Sequence, residues 1–186
     1  MRELSLHILD IAENGLRAGA TLIEIKIDEF QRENRLVITV RDNGSGMPAA
    51  KQENPSDPFI TAETGRKVGL GLSLLAAAAE RCGGHLEIDA RPGTGTTVSA
   101  RFQHDHIDRA PIGDIAGTLA TLMAGHPGVD IVYTHRIAAD AFSFDTRQIK
   151  TDLPHLPLTD PVMIQELADS IRTHLIDLAA KARQQQ

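Results

Sequence analysis

The stretch Leu36-Val37-Ile38-Thr39-Val40-Arg41-Asp42-Asn43-Gly44-Ser45-Gly46 decides the reading of this chain. Its first six residues alternate with period two, the pattern of a half-buried strand. Asp42-Asn43-Gly44-Ser45-Gly46 then halts the strand abruptly. The glycines let a backbone approach a planar ligand closely, and an Asp at a strand end can accept a hydrogen bond from an exocyclic amine. Asp-Asn-Gly is also ordinary turn chemistry, so this motif alone leaves both readings open.

Working outward, Leu22-Ile23-Glu24-Ile25-Lys26-Ile27-Asp28 alternates in the same way, and residues 31–34 form a polar turn between the two runs. An antiparallel hairpin follows from that arrangement. Residues 3–18 upstream predict a helix, because Leu4, Ile8, Ile11 and Ala12 fall at three- and four-residue spacing. His7, Asp10, Asn14 and Arg17 form a second, polar stripe, and Gly19 can end the helix. Asp10 and Asn14 stand one turn apart and face the same way. An amide oxygen at Asn14 is a suitable hard ligand for Mg²⁺, and a carboxylate at Asp10 could hold or deprotonate a water near substrate phosphates. Such pairs also occur on plain solvated faces.

Downstream, residues 48–68 show no clean periodicity and contain Pro48, Pro55 and Pro58. A loop of that length inside a compact domain tends to be functional or mobile. Gly65-Arg66-Lys67-Val68-Gly69-Leu70-Gly71-Leu72-Ser73 leads from it into an Ala/Leu-rich helix over 72–81, ended by Gly83-Gly84. Glycines before a helix start, with Arg66 and Lys67 beside them, suit a triphosphate, because free N–H groups and the helix dipole favour an anion there. This is neither a Walker A loop nor a Gly-x-Gly-x-x-Gly dinucleotide fingerprint. Residues 85–90 and 96–102 alternate again around a Pro92-Gly93-Thr94-Gly95 turn. The order predicts an α/β sandwich with one antiparallel or mixed sheet.

A change of character near residue 104 marks an expected boundary between a domain at 1–103 and a small C-terminal α/β module at 104–186. Residues 104–111 read as linker, 112–123 as a helix, 129–134 and 141–145 as a hairpin. A final helix is expected from Asp160-Pro161, an N-cap followed by proline at the first position. Ile164, Leu167, Ile171, Leu175 and Leu178 form its apolar stripe, expected to pack on the hairpin. His104-Asp105-His106 is read as linker rather than a metal site, and Cys82 as a small buried apolar residue.

Composition narrows the function classes. Apolar residues are 41% and charged residues 24%, enough for a packed core; aromatics are only 3%, so that core must be aliphatic. A net charge of −6 argues against charge-driven nucleic-acid binding. The single cysteine fits a reducing compartment. No signal-peptide pattern opens the sequence, and runs such as Leu74–Ala79 are too short to span a membrane. A cytoplasmic location and no direct membrane contact are expected.

As an ordered set, these motifs resemble the N, G1 and G2 boxes of the GHKL superfamily, the Bergerat-fold ATPases that include gyrase, MutL, sensor histidine kinases and anti-sigma-factor kinases. Asp10-x-x-x-Asn14 corresponds to the N box, Asp42-x-Gly44-x-Gly46 to G1, and Gly69-x-Gly71 to G2. Pro58-Phe59 resembles the F box and residues 93–97 the G3 box. Residues 13–21 are similar to the MutL N box, and residues 68–75 to the histidine-kinase G2. The resemblance implies an α/β (α+β) two-layer sandwich with a mixed, mostly antiparallel sheet, and ATP and Mg²⁺ as ligands, with Asn14 on the metal and Asp42 on the adenine amine. Gly44 and Gly46 would let the base lie flat, with Met47 packed on it. Residues 48–68 would be the lid. Gly69, Leu70 and Gly71 would meet the phosphates, assisted by Arg66 or Lys67, and Thr97 would lie beside Asp42. Hydrolysing members usually carry Glu where Asp10 stands, and Asp is one methylene shorter. The N box opens the sequence with no phospho-acceptor hairpin before it, so His7 is read as structural or site-lining. A protein kinase acting on a separate partner through residues 104–186 is the first expectation. A nucleotide-gated binding module or an accessory ATPase is the alternative.

Overall fold

A computed structural model describes residues 2–46, 70–155 and 158–184. In chain order the elements are α1 (Leu4–Arg17), β1 (Leu22–Phe30), a 3-10 turn (Gln31–Glu33), β2 (Arg35–Asp42), α2 (Leu70–Arg81), β3 (His85–Arg91) and β4 (Gly95–Gln103). They continue with α3 (Ile115–Gly125), β5 (Asp130–Ile137), β6 (Asp140–Asp145), α4 (Thr146–Asp152) and α5 (Pro161–Gln184).

The strands form one six-stranded sheet in the order β3-β4-β2-β1-β5-β6. β1–β2, β2–β4, β3–β4 and β5–β6 are antiparallel, whereas β1 and β5 run parallel. The expected mixed, mostly antiparallel α/β sandwich is therefore what forms. The hairpin of the C-terminal segment lies in this same sheet, with Ile25 of β1 opposite Tyr133 of β5. Strand parity sets the layers. Ile23, Ile25, Ile27, Leu36, Ile38, Val40, Val98, Ala100 and Phe102 are all buried on one face. Side chains of α1, α2, α3 and α5 join them in a single cluster. The opposite face carries Lys26, Thr39, Arg41 and Thr97.

Two helix ends follow from glycine chemistry. Gly19 is left-handed at φ 80, with Gly19 N–H donating to Leu16 O and Ala20 N–H to Gly15 O, the Schellman arrangement that ends α1. Gly83 at φ 67 and Gly84 end α2 in the same way, with Gly84 N–H donating to Ala79 O. α4 was not expected. It spans only seven residues, too short for a clear apolar period, and its Asp145 cap is its main local signal, with Asp145 Oδ1 accepting from Arg147 N–H at 2.9 Å.

A partly buried polar chain ties β1, β5 and the linker together. Glu29 Oε1 lies 2.8 Å from His135 Nε2, and Glu29 Oε2 lies 2.7 Å from His104 Nε2. Tyr133 Oη stands 2.9 Å from His135 Nδ1. Burial pushes the Glu29 carboxyl up, but the hydrogen bonds and charge of His135 and His104 outweigh it and hold it below its ordinary range. No helix among the described residues is long and apolar enough to cross a membrane.

Candidate functional site

Three glycines report how closely the candidate motifs meet. A Cβ on Gly15 of α1 would lie 2.6 Å from Asp42 Cβ and 3.1 Å from Asp42 Oδ2. A Cβ on Gly71 of α2 would collide with the Asp10 carboxylate. A Cβ on Gly95 at the start of β4 would collide with Asp42 O. The helix with Asp10 and Asn14, the end of β2 and the start of α2 therefore converge at one corner, with the Asp42 and Asp10 side chains seated against glycine backbone where a Cβ would not fit.

Asp42 is buried, 8% exposed, and its Oδ1 accepts the Gly44 N–H at 2.8 Å. Asn43 pins the turn behind it. Its Oδ1 accepts from Thr21 N–H and Leu22 N–H at 2.8 and 2.9 Å, and its Nδ2 donates to Thr21 Oγ1. Ser45 N–H donates to Ala18 O, and Gly93 N–H to Ser45 O. Gly46 is left-handed at φ 68, and a Cβ there would collide with Arg91 O. The turn is thus bolted on one side to the end of α1 and on the other to the β3–β4 turn, which fixes the carboxylate at the end of a central strand.

On α1, Asp10 and Asn14 are half-buried and share a face. Asn14 Oδ1 accepts from Arg17 Nη2 at 2.8 Å, while Arg17 Nε donates to Glu13 O at 3.0 Å. That amide oxygen is thus engaged by the Arg17 guanidinium. His7, one turn before Asp10, is buried at 4% exposure, and its Nδ1 has no hydrogen-bond partner among the described residues. Burial pushes its pKa down, the N-terminal charge adds to that, and Asp10 partly opposes both.

Thr97 needs correction. Its register partner is Arg41, and it lines a groove on the opposite sheet face with Glu24, Lys26, Thr39 and Arg41. Thr96 is the residue paired with Asp42, on the parity of buried Val98 and Ala100. Period-two alternation would have found it, because Thr96, Val98, Ala100 and Phe102 belong to one face. Gly15 was also missed as a site residue. Its only signal is a glycine in a helix that otherwise has no need of one. Met47, Arg66, Lys67 and Gly69 lie outside the described residues, as do Pro58, Phe59 and the whole stretch 48–68. Leu70 opens α2.

The model of the family described as "Histidine kinase-, DNA gyrase B-, and HSP90-like ATPase" matches residues 2–106, and the chain belongs to that family. It carries a GHKL ATP-binding domain. Among curated proteins it is similar to the sensor histidine kinase YxdK of Bacillus subtilis, 32% identical over 104 residues, covering 53% of this chain and 32% of the kinase. It is also similar to the sensor kinase CckA of Brucella abortus, 40% identical over 99 residues, covering 50% of this chain and 10% of that one. The chain thus spans a third or less of the length of these relatives. In fold it is similar to the MutL ATPase domain of Aquifex aeolicus complexed with ADP. The TM-score is 0.53 at 15% identity, over 91% of this chain and 70% of that one.

Proposed function

We propose that the corner between α1, β2, β4 and α2 binds Mg²⁺-ATP, and that the bound nucleotide serves regulation of a separate protein. The observation that carries this reading is the contact pair Gly15–Asp42 and Gly71–Asp10, which gathers an adenine-type acceptor and a phosphate-type helix start around one helix. ADP in the MutL ATPase domain supports it.

In this reading Asp42 Oδ2 accepts from the adenine amine, with Thr96 beside it. Gly44 and Gly46 would shape the turn against which a flat base lies, their own Cβ positions being taken up by the Ala18 and Arg91 carbonyl oxygens. Asn14 Oδ1, on a half-buried residue and accepting from Arg17, is an oxygen donor of the kind Mg²⁺ takes. A bound Mg²⁺ would neutralise phosphate charge there. The first N–H groups of α2, from Leu70 and Gly71 onward, would face anionic oxygen, with Gly69 and Arg66 or Lys67 completing the phosphate side. Asp10 would hold a water or an acceptor group and take its proton. Residues 104–186 would dock the partner, as a functional segment distinct from 1–103, in a cytoplasmic protein that touches neither nucleic acid nor membrane directly. Transfer to a partner His or Ser/Thr is the first form of this proposal. The second, a nucleotide-gated module without turnover, is favoured by the packing of the short Asp10 carboxylate against Gly71. Phosphate release and transfer by wild type and Asp10→Ala, measured with the co-purified partner, separate the two. Loss of both with ADP binding kept supports catalysis, and a wild type without turnover supports the gated module.

A further inference from the structure

Helix α1 starts without a cap of its own. Its N-cap residue, Glu3, makes no side-chain cap hydrogen bond, although the first N–H groups of any helix need acceptors. The acceptors come from more than 100 residues away in the chain. Leu4 N–H donates to Pro111 O at 3.0 Å and Ser5 N–H to Ile112 O at 2.7 Å. Two backbone carbonyls thus lie against the positive end of the helix dipole. The Glu3 side chain is turned the other way, its Oε2 accepting from Asp114 N–H at 3.3 Å and from Ser5 Oγ at 3.2 Å.

The segment is built for this crossing. Gly113 is left-handed at φ 85, and a Cβ there would collide with Glu3 Oε2 and lie 2.6 Å from Ser5 Oγ. Asp114 next to it caps α3 through Gly117 N–H at 3.0 Å, and Arg172 of α5 reaches its Oδ2 at 3.4 Å. The same segment therefore ends on α3 and α5. A second grip lies at the other end of α1, where His126, just past α3, meets Glu13 at 3.1 Å beside Asn14.

We infer that residues 111–114 are a strap that couples the nucleotide site to the C-terminal segment through α1. Nucleotide binding tightens the strap, and displacing the strap loosens Asp10 and Asn14. The inference rests on the nucleotide reading above. Because such coupling is reciprocal, each end must report the other by the same factor.

The test is amide hydrogen exchange at Leu4 and Ser5, with and without Mg²⁺-ADP, alongside ADP calorimetry, in wild type, Gly113→Ala and Glu3→Ala. The expected result is that Mg²⁺-ADP slows exchange at both amides by roughly fivefold or more. Gly113→Ala should speed it and weaken ADP, while Gly125→Ala, whose Cβ would meet nothing within 4 Å, should do neither. Glu3→Ala gives the same readout should Gly113→Ala fail to fold. The strap is refuted if ADP binds wild type yet leaves Leu4 and Ser5 exchange unchanged, or if either variant frees those amides without weakening ADP. A wild type that binds no ADP overturns the nucleotide reading itself, and the strap with it.

Discussion

Replacing Gly15 with alanine sets two effects of opposite sign against each other. Alanine in a helix interior is favoured over glycine by about 1 kcal/mol. The new Cβ, however, would lie 2.6 Å from Asp42 Cβ and 2.9 Å from its Cγ. Overpacking of a tight interior costs about 1–3 kcal/mol. Asp42 is 8% exposed and held by Gly44 N–H, so it has little room to move. The clash should win, and Gly15→Ala should lower stability rather than raise it. The displaced carboxylate should also lose its bond to the adenine amine, a charge-assisted hydrogen bond of about 1.5–3 kcal/mol, which is roughly a tenfold to hundredfold loss in ADP affinity. Urea unfolding and ADP calorimetry on the same preparation measure both. An alanine variant that is more stable than wild type and binds ADP equally well would refute the packing of α1 on Asp42.

The other predictions follow from the same geometry. Gly71→Ala should push Asp10 aside and crowd the phosphate-facing start of α2, so phosphate release or transfer should fall and ADP affinity, measured by calorimetry, should fall with it. Thr96→Val should weaken ADP by about 0.5–1.5 kcal/mol, the worth of one neutral hydrogen bond, whereas Thr97→Val on the opposite face should not; equal effects would contradict the strand parity. Glu29, with its pKa below the ordinary 4.5, contributes stability that is present above that value and lost as pH falls through the lowered one. Urea midpoints should therefore drop on acidification below pH 4.5 in wild type, and Glu29→Gln should be less stable at pH 7 and show less of that acid loss.

Much of the fold was legible in the sequence, for local reasons. Period-two runs define β1, β2 and β4, three- and four-residue spacing defines α1, and the glycines at 19, 83 and 84 end helices where they stand. Asp10, Asn14, Asp42 and Gly71 were legible because they come in motifs of fixed spacing. What escaped was non-local. The parallel pairing of β1 with β5 joins residues 22 and 130, and nothing in either run specifies its partner. The capping of α1 by Pro111 and Ile112 uses carbonyls, which every residue has. Gly15 matters through what touches it, and Thr97 was placed by its neighbourhood to a motif rather than by the face its position dictates.

Calorimetry of Mg²⁺-ATP with wild type, Asp42→Asn and Asn14→Ala tests the central claim most directly. Wild type should bind with measurable heat, Asp42→Asn should lose most of that affinity with or without metal, and Asn14→Ala should lose mainly the part that depends on Mg²⁺. No heat with wild type, or equal binding by all three, would contradict an ATP site at this corner.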